Sequence, residues 1–118
     1  MKTVFIVDDN DANLLLAKNA LEGTYETFAM PSAARMFKII EKITPDLILL
    51  DVDMPEMDGF QALEALKANE GFKNIPVVFL TGKDEPEAEA RGLTMGAVDF
   101  IRKPFFPPDL LQRIASHI

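Results

Sequence analysis

Four carboxylates crowd the stretch "LILLDVDMPEMDG", residues 47–59, where Leu47 to Leu50 run straight into Asp51, Asp53, Glu56 and Asp58. Like charges at short range repel, and each pushes the others toward protonation. A cluster of this kind at the mouth of an apolar run expects positive charge from elsewhere. A second acidic pair, Asp8 and Asp9, follows the apolar "VFIV" near the N-terminus. Thr81 closes "VVFLT", and Lys103 with Pro104 follows "DFIR". Asp8, Asp9 and Asp51 gathered around one cleft would make a hard-oxygen site suited to Mg²⁺. That ion commonly pairs one or two carboxylates with phosphate oxygens and waters.

The elements between these residues decide whether they can meet. "KTVFIV" (2–7), "TYETFAM" (24–30), "DLILL" (46–50), "IPVVFLT" (75–81) and "AVDFI" (97–101) are predicted strands. "VFIV", "LILL" and "VVFL" do not alternate with polar residues, the pattern of strands buried on both faces of a parallel sheet. Helical spacing of apolar residues predicts helices over 12–23, 33–43 and 60–71, with Gly23 and Gly71 where C-caps belong. Residues 85–96 form a weaker helical pattern with acids in the first turn, as the helix dipole prefers. The closing "FPPDLLQRIASHI" has prolines near the start of a final helix. Five βα units joined by right-handed crossovers give an open α/β parallel sheet with helices on both faces.

The bulk properties narrow the classes. A chain of 118 residues, 48% of them hydrophobic, fits one packed domain over 1–118 without linker, repeat or low-complexity segment. A formal net charge of −7 argues against direct nucleic acid contact or binding to an anionic membrane. The absence of cysteine excludes disulfides and thiolate metal sites. The N-terminal apolar stretch is too short for a signal-peptide core and runs into two aspartates, and no segment reaches membrane-spanning length. The expectation is a cytoplasmic domain.

Ligands of an open parallel sheet bind beyond the C-terminal ends of its strands. The residues found there are Asp8 and Asp9, Asp51, Thr81, and Lys103 with Pro104; the second strand ends blandly in Met30-Pro31. In this order, "IVDDN", "LILLDVDMPEMDG", "VVFLTG" and "DFIRKPF" resemble the receiver domains of bacterial two-component response regulators across essentially the whole chain. The resemblance implies a flavodoxin-like doubly wound sheet of five strands in order 2-1-3-4-5 with five helices. It implies Asp51 as the phosphoacceptor, with Asp8, Asp9, Asp51 and the backbone carbonyl of Asp53 holding Mg²⁺. Lys103 would contact the phosphoryl group and Thr81 would hydrogen-bond it after transfer. Phe100 occupies the switch-aromatic position, and Pro104 would follow a cis peptide. Asp53 and Lys83, two residues past the acceptor and two past Thr81, would modulate phosphoryl lifetime. The donor would be a sensor histidine kinase or phosphotransfer protein. A fused output domain, a protein target or a phosphorylation-dependent dimer would receive the signal. Such a domain is not an enzyme beyond catalysing its own phosphorylation and dephosphorylation.

Each role has a chemical reason. A carboxylate can attack phosphorus and form an aspartyl-phosphate. The transfer needs positioning and positive charge on the non-bridging oxygens, which Mg²⁺ and Lys103 would supply. Gly82 beside Thr81 is expected to keep the approach open.

Simpler readings fit other residues better. Asn10 and Asp11 suit a helix cap and first turn, and Asp58-Gly59 suits a turn and helix start. His117, the single histidine, suits the helix C-terminus. "LILLDVD" also resembles the nucleophile motif of haloacid-dehalogenase-type phosphatases, with Asp51 as nucleophile and Asp53 as general acid. That family wants a further acidic pair after its lysine, and only Asp109 follows Lys103. An EF-hand calcium loop fails because Pro55 and Glu56 stand at its fifth and sixth positions. A flavin site would want hydroxyls where the chain has "DDND". A degenerate receiver kept as a binding scaffold would lack an acid, the threonine or the lysine, and all are present.

Overall fold

The computed structural model describes residues 1–82 and 86–118. In chain order the elements are β1 (Thr3–Val7), α1 (Asp11–Leu21), β2 (Glu26–Met30), α2 (Ala33–Ile40), β3 (Leu47–Asp51), α3 (Gly59–Lys67), β4 (Val77–Thr81), α4 (Pro86–Met95), β5 (Asp99–Arg102) and α5 (Pro107–His117). All strand pairings are parallel, in the order β2-β1-β3-β4-β5. Every residue of β3 and β4 is buried, which is why neither strand alternates in sequence. Alternate strand residues feed two separate cores. Phe5, Ile48, Leu50 and Phe79 meet Met36 and Ile40 of α2 and Leu63 and Leu66 of α3 on one face. On the other, Ile6, Leu49, Val78 and Leu80 meet Leu14 and Leu21 of α1 and Leu110 and Ile114 of α5.

Local chemistry sets the element ends. Asn10 caps α1, its Oδ1 accepting the Asn13 N–H at 3.0 Å. Asp58 caps α3 in a reciprocal box with Gln61, at 2.8 and 3.0 Å. Gly23 follows α1 at φ 86°, as a helix terminator should.

Gly71 does not end a helix. The α3 helix stops at Lys67 with Ala68 as its C-cap. Beyond it, the Asn69 side chain accepts the Gly71 N–H at 2.8 Å and draws the chain into turns. Four other ends move for similar reasons. The Thr24 and Tyr25 N–H groups both bond Leu21 O, so β2 starts at Glu26. Lys42 and Ile43 both bond Ile39 O in a closing turn after α2. The N–H groups of Ile75 and Ala97 are taken by Phe72 O and Gly92 O, outside the strands that they precede.

Candidate functional site

Asp8 follows β1 directly, and its N–H donates to Met30 O at 3.1 Å, tying the rim to the end of β2. Its carboxylate is fully buried; one oxygen accepts the Asn10 N–H at 2.9 Å. Asp51 ends β3, is 2% exposed, and accepts the Asp53 N–H at 3.3 Å, so the following loop curls about the carboxylate. That loop is held close by Gly59. A β-carbon there would stand 2.4 Å from the Asp51 carbonyl oxygen, and the Gly59 N–H donates to Val52 O at 2.9 Å.

Lys103 arrives from the far side of the sheet. Its N–H donates to Thr81 O at 2.7 Å, and its peptide to Pro104 is cis, as the resemblance implied. The ammonium donates to Asp51 Oδ1 at 3.0 Å and to Asp8 Oδ2 at 3.2 Å. One cation thus bridges two buried carboxylates. Asp9 is exposed beside them, and Asp8, Asp9 and Asp51 each offer an oxygen within 4.8 Å of the others.

The electrostatics leave room for a second cation. Burial pushes the Asp51 carboxyl up to about 7, the negative charge of Asp8 adds to this, and Lys103 only partly opposes it. Burial alone would lower Lys103, but the hydrogen bond and charge of Asp51, then those of Asp8, outweigh it and hold the ammonium above its ordinary value. Three clustered carboxylates, of which one ammonium bridges only Asp8 and Asp51, fit a divalent ion with oxygen ligands.

Thr81 is buried at the end of β4. A β-carbon on the neighbouring Gly82 would meet nothing within 4 Å, so this glycine faces open space. Asp53 is exposed on the loop, while Lys83 lies outside the described residues.

Phe100 lies buried in the core behind the rim. Its ring tilts against Phe79 at 5.2 Å, and Phe79 against Phe60 at 5.4 Å. Helix α4 rests on this row through Gly92, where a β-carbon would come within 2.6 Å of the Phe100 ring and 2.9 Å of Phe79. The Arg91 guanidinium covers Phe60 at 4.2 Å.

Sequence reasoning missed the brace behind Phe100. Arg113 donates to Asp99 Oδ1 at 2.9 Å, to Asp109 at 3.2 Å and to the Phe100 carbonyl at 3.3 Å. His117 Nε2 lies 3.1 Å from the other Asp99 oxygen, so its contact is with a strand carboxylate as well as a helix end. The Asp109–Arg113 spacing was a visible signal, as was a charged Asp99 inside an apolar strand. Asp109 lies on α5 paired with Arg113 and, among the described residues, is not one of the carboxylates gathered with Asp51, where a haloacid-dehalogenase site would need it.

The response regulator receiver domain model matches residues 4–115. The chain is 32% identical to the polar-differentiation response regulator DivK of Brucella ovis, covering 99% of the chain and 96% of DivK. It is 39% identical to a probable cyclic di-GMP phosphodiesterase of Vibrio cholerae and 37% to the phosphate regulon regulator PhoB of Pseudomonas aeruginosa, in each case over 98% of the chain. The chain spans only 26% and 51% of those two proteins. Its fold superposes on the chemotaxis protein CheY4 of Vibrio cholerae with a TM-score of 0.94 at 28% identity, over 100% of the chain and 99% of CheY4. No helix among the described residues is long and apolar enough to cross a membrane.

Proposed function

The chain belongs to the response regulator receiver domain family of two-component systems, and on that premise we propose that Asp51 is its phosphoacceptor. The supporting observation is the Lys103 ammonium bridging buried Asp51 and Asp8, with Asp9 alongside. An Asp51 oxygen would attack the phosphorus of a phosphohistidine on a sensor kinase or phosphotransfer protein. The new P–O bond forms as the P–N bond breaks, and the imidazole leaves with the electron pair. Lys103 would move from the carboxylate to a phosphoryl oxygen, and the Thr81 hydroxyl would donate to another.

Asp8, Asp9, Asp51 and the Asp53 carbonyl would hold Mg²⁺. When bound, the ion supplies charge that offsets the crowded carboxylates and the incoming phosphoryl oxygens. The transferred group would bias a two-state equilibrium through Thr81 and Phe100, with α4 following the aromatic row. Asp53 and Lys83 would set the lifetime of the phosphoryl group. We read residues 1–118 as one receiver domain, cytoplasmic, acting on a fused output domain, a protein target or a second phosphorylated copy, and catalysing no reaction but its own phosphorylation and dephosphorylation.

Incubation with acetyl phosphate and Mg²⁺ tests the assignment by intact mass. Wild type should gain one phosphoryl group and Asp51→Asn none. Full labelling of that variant would overturn it.

A further inference from the structure

Helix α2 carries a stripe that the phosphoacceptor site does not use. Arg35, Lys38, Ile39, Lys42 and Ile43 follow the spacing that lines one helical face, and the closing turn onto Ile39 O carries that face past the helix end. Between this stripe and β2 lies a groove of about 490 Å³. Half-buried Phe28, Ile39 and Ile43 make it apolar; exposed Arg35, Lys38 and Lys42 surround it, and no lining residue is acidic. Among the described residues none of these cations has an ion-pair partner. In a chain of net charge −7, a basic groove is a local reversal of sign.

The groove runs beside an open sheet edge. Among the described residues strand β2 pairs with β1 alone. The Glu26 N–H donates to Lys2 O at 2.9 Å and Met30 O accepts the Asp8 N–H at 3.1 Å, so residues 26, 28 and 30 face inward. Thr27 and Ala29 therefore turn their N–H and C=O groups outward.

We propose that the β2 edge and the α2 groove together bind an extended acidic segment of a partner protein as an added strand. Main-chain bonds would form with Thr27 and Ala29, the way peptides extend other exposed sheet edges. On the side facing α2, an apolar residue would enter between Phe28, Ile39 and Ile43. Acidic residues two positions away on either side would meet Arg35, Lys38 and Lys42. Charge selects this occupant over the alternatives. A second copy of the chain would bring like cations together across the edge. Nucleic acid would meet three cations on an otherwise acidic protein, too few to hold it.

The probe is a capped peptide with a central valine, glutamate at the second position on each side and threonine elsewhere, titrated into ¹⁵N-labelled protein. Amide shifts should be confined to residues 26–31 and 35–43, and exchange of the Thr27 and Ala29 N–H groups should slow. The double variant Lys38→Glu, Lys42→Glu should weaken binding by about tenfold or more. Ala29→Pro, which edge strands tolerate, should abolish it with the circular dichroism spectrum unchanged. Labelling by acetyl phosphate should stay at the wild-type level in the double variant, so that failure here is distinct from failure of the Asp51 assignment. The proposal is overturned if the glutamate peptide leaves these amides unmoved, or if a lysine-substituted peptide binds equally well. It is also overturned if anionic phospholipid vesicles bind through Lys38 and Lys42 while the peptide does not.

Discussion

The Lys103 ammonium lies 3.0 Å from Asp51 and 3.2 Å from Asp8, two carboxylates that are at most 2% exposed. Once Asp51 is ionised the site holds two buried negative charges on one positive charge, and its stability should report that excess.

The folded-state pKa of Asp51 is raised, from 3.8 to about 7, so the folded chain binds this proton more tightly than the unfolded chain. Stability from the protonated form is fully present below the unfolded value and is lost as pH rises through about 7. Metal-free protein should thus be less stable at about pH 8 than at about pH 5 by on the order of a few kcal/mol from this group. Asp51→Asn should be the more stable protein at the higher pH, with most of that slope gone. Urea unfolding across the range in a chelating buffer measures it; an unchanged slope in the variant would refute the electrostatic account.

Asp9 is the exposed member of the acidic trio, and its removal should spare the fold. Asp9→Ala should bind Mg²⁺ at least about tenfold more weakly and accept phosphate more slowly. Calorimetric titration of wild type, Asp8→Ala and Asp9→Ala decides this. Equal affinity in all three proteins would rule out both ligands.

Thr81→Ala should still be labelled by acetyl phosphate, because Asp51, the acids and Lys103 remain. The phosphorylation-dependent amide shifts across residues 86–105 should shrink. Wild-type shifts in this variant would place the coupling elsewhere.

Close packing of Gly92 on Phe100 makes a further prediction. Gly92→Ala gains about 1 kcal/mol of helix propensity but forces a methyl group into two buried rings, at a cost of roughly 1–3 kcal/mol. The net change should be destabilising by about 0–2 kcal/mol. In Phe100→Leu the same substitution should become neutral or favourable, a coupling that a double-mutant cycle in urea would read. Strict additivity would mean that α4 is not seated on Phe100.

Lys83→Ala should shorten the life of the phosphoryl group with little change in Mg²⁺ affinity, in keeping with its position two residues past Thr81. Decay after removal of the donor, in single and double variants with Asp53→Ala, measures this. Equal or slower decay in Lys83→Ala would dismiss a protective pair.

Most of the site was legible because a parallel sheet delivers every strand end to one rim. Each residue of the candidate site stands at or just past an apolar run, so the runs alone point to Asp8, Asp9, Asp51, Thr81 and Lys103. Element ends were less legible, because they depend on single backbone bonds such as those to Leu21 O and Ile39 O. Gly71 misled because an Asn69 side chain, rather than a left-handed glycine, turns the chain there. The partners of Arg113 and the basic groove were hidden for another reason. Each arises between a strand and the helix that follows it, β5 with α5 and β2 with α2, and the separate strand and helix periodicities do not say which side chains meet across the connection.

Arg113 joins three acceptors with one planar group: a strand carboxylate, a helix carboxylate and the main-chain carbonyl of the residue assigned to the switch. A guanidinium so engaged behaves as a rivet through two plates. Its bonds to Asp99 and to the Phe100 carbonyl pin helix α5 to strand β5, so a shift of either element past the other would have to break them or carry them along.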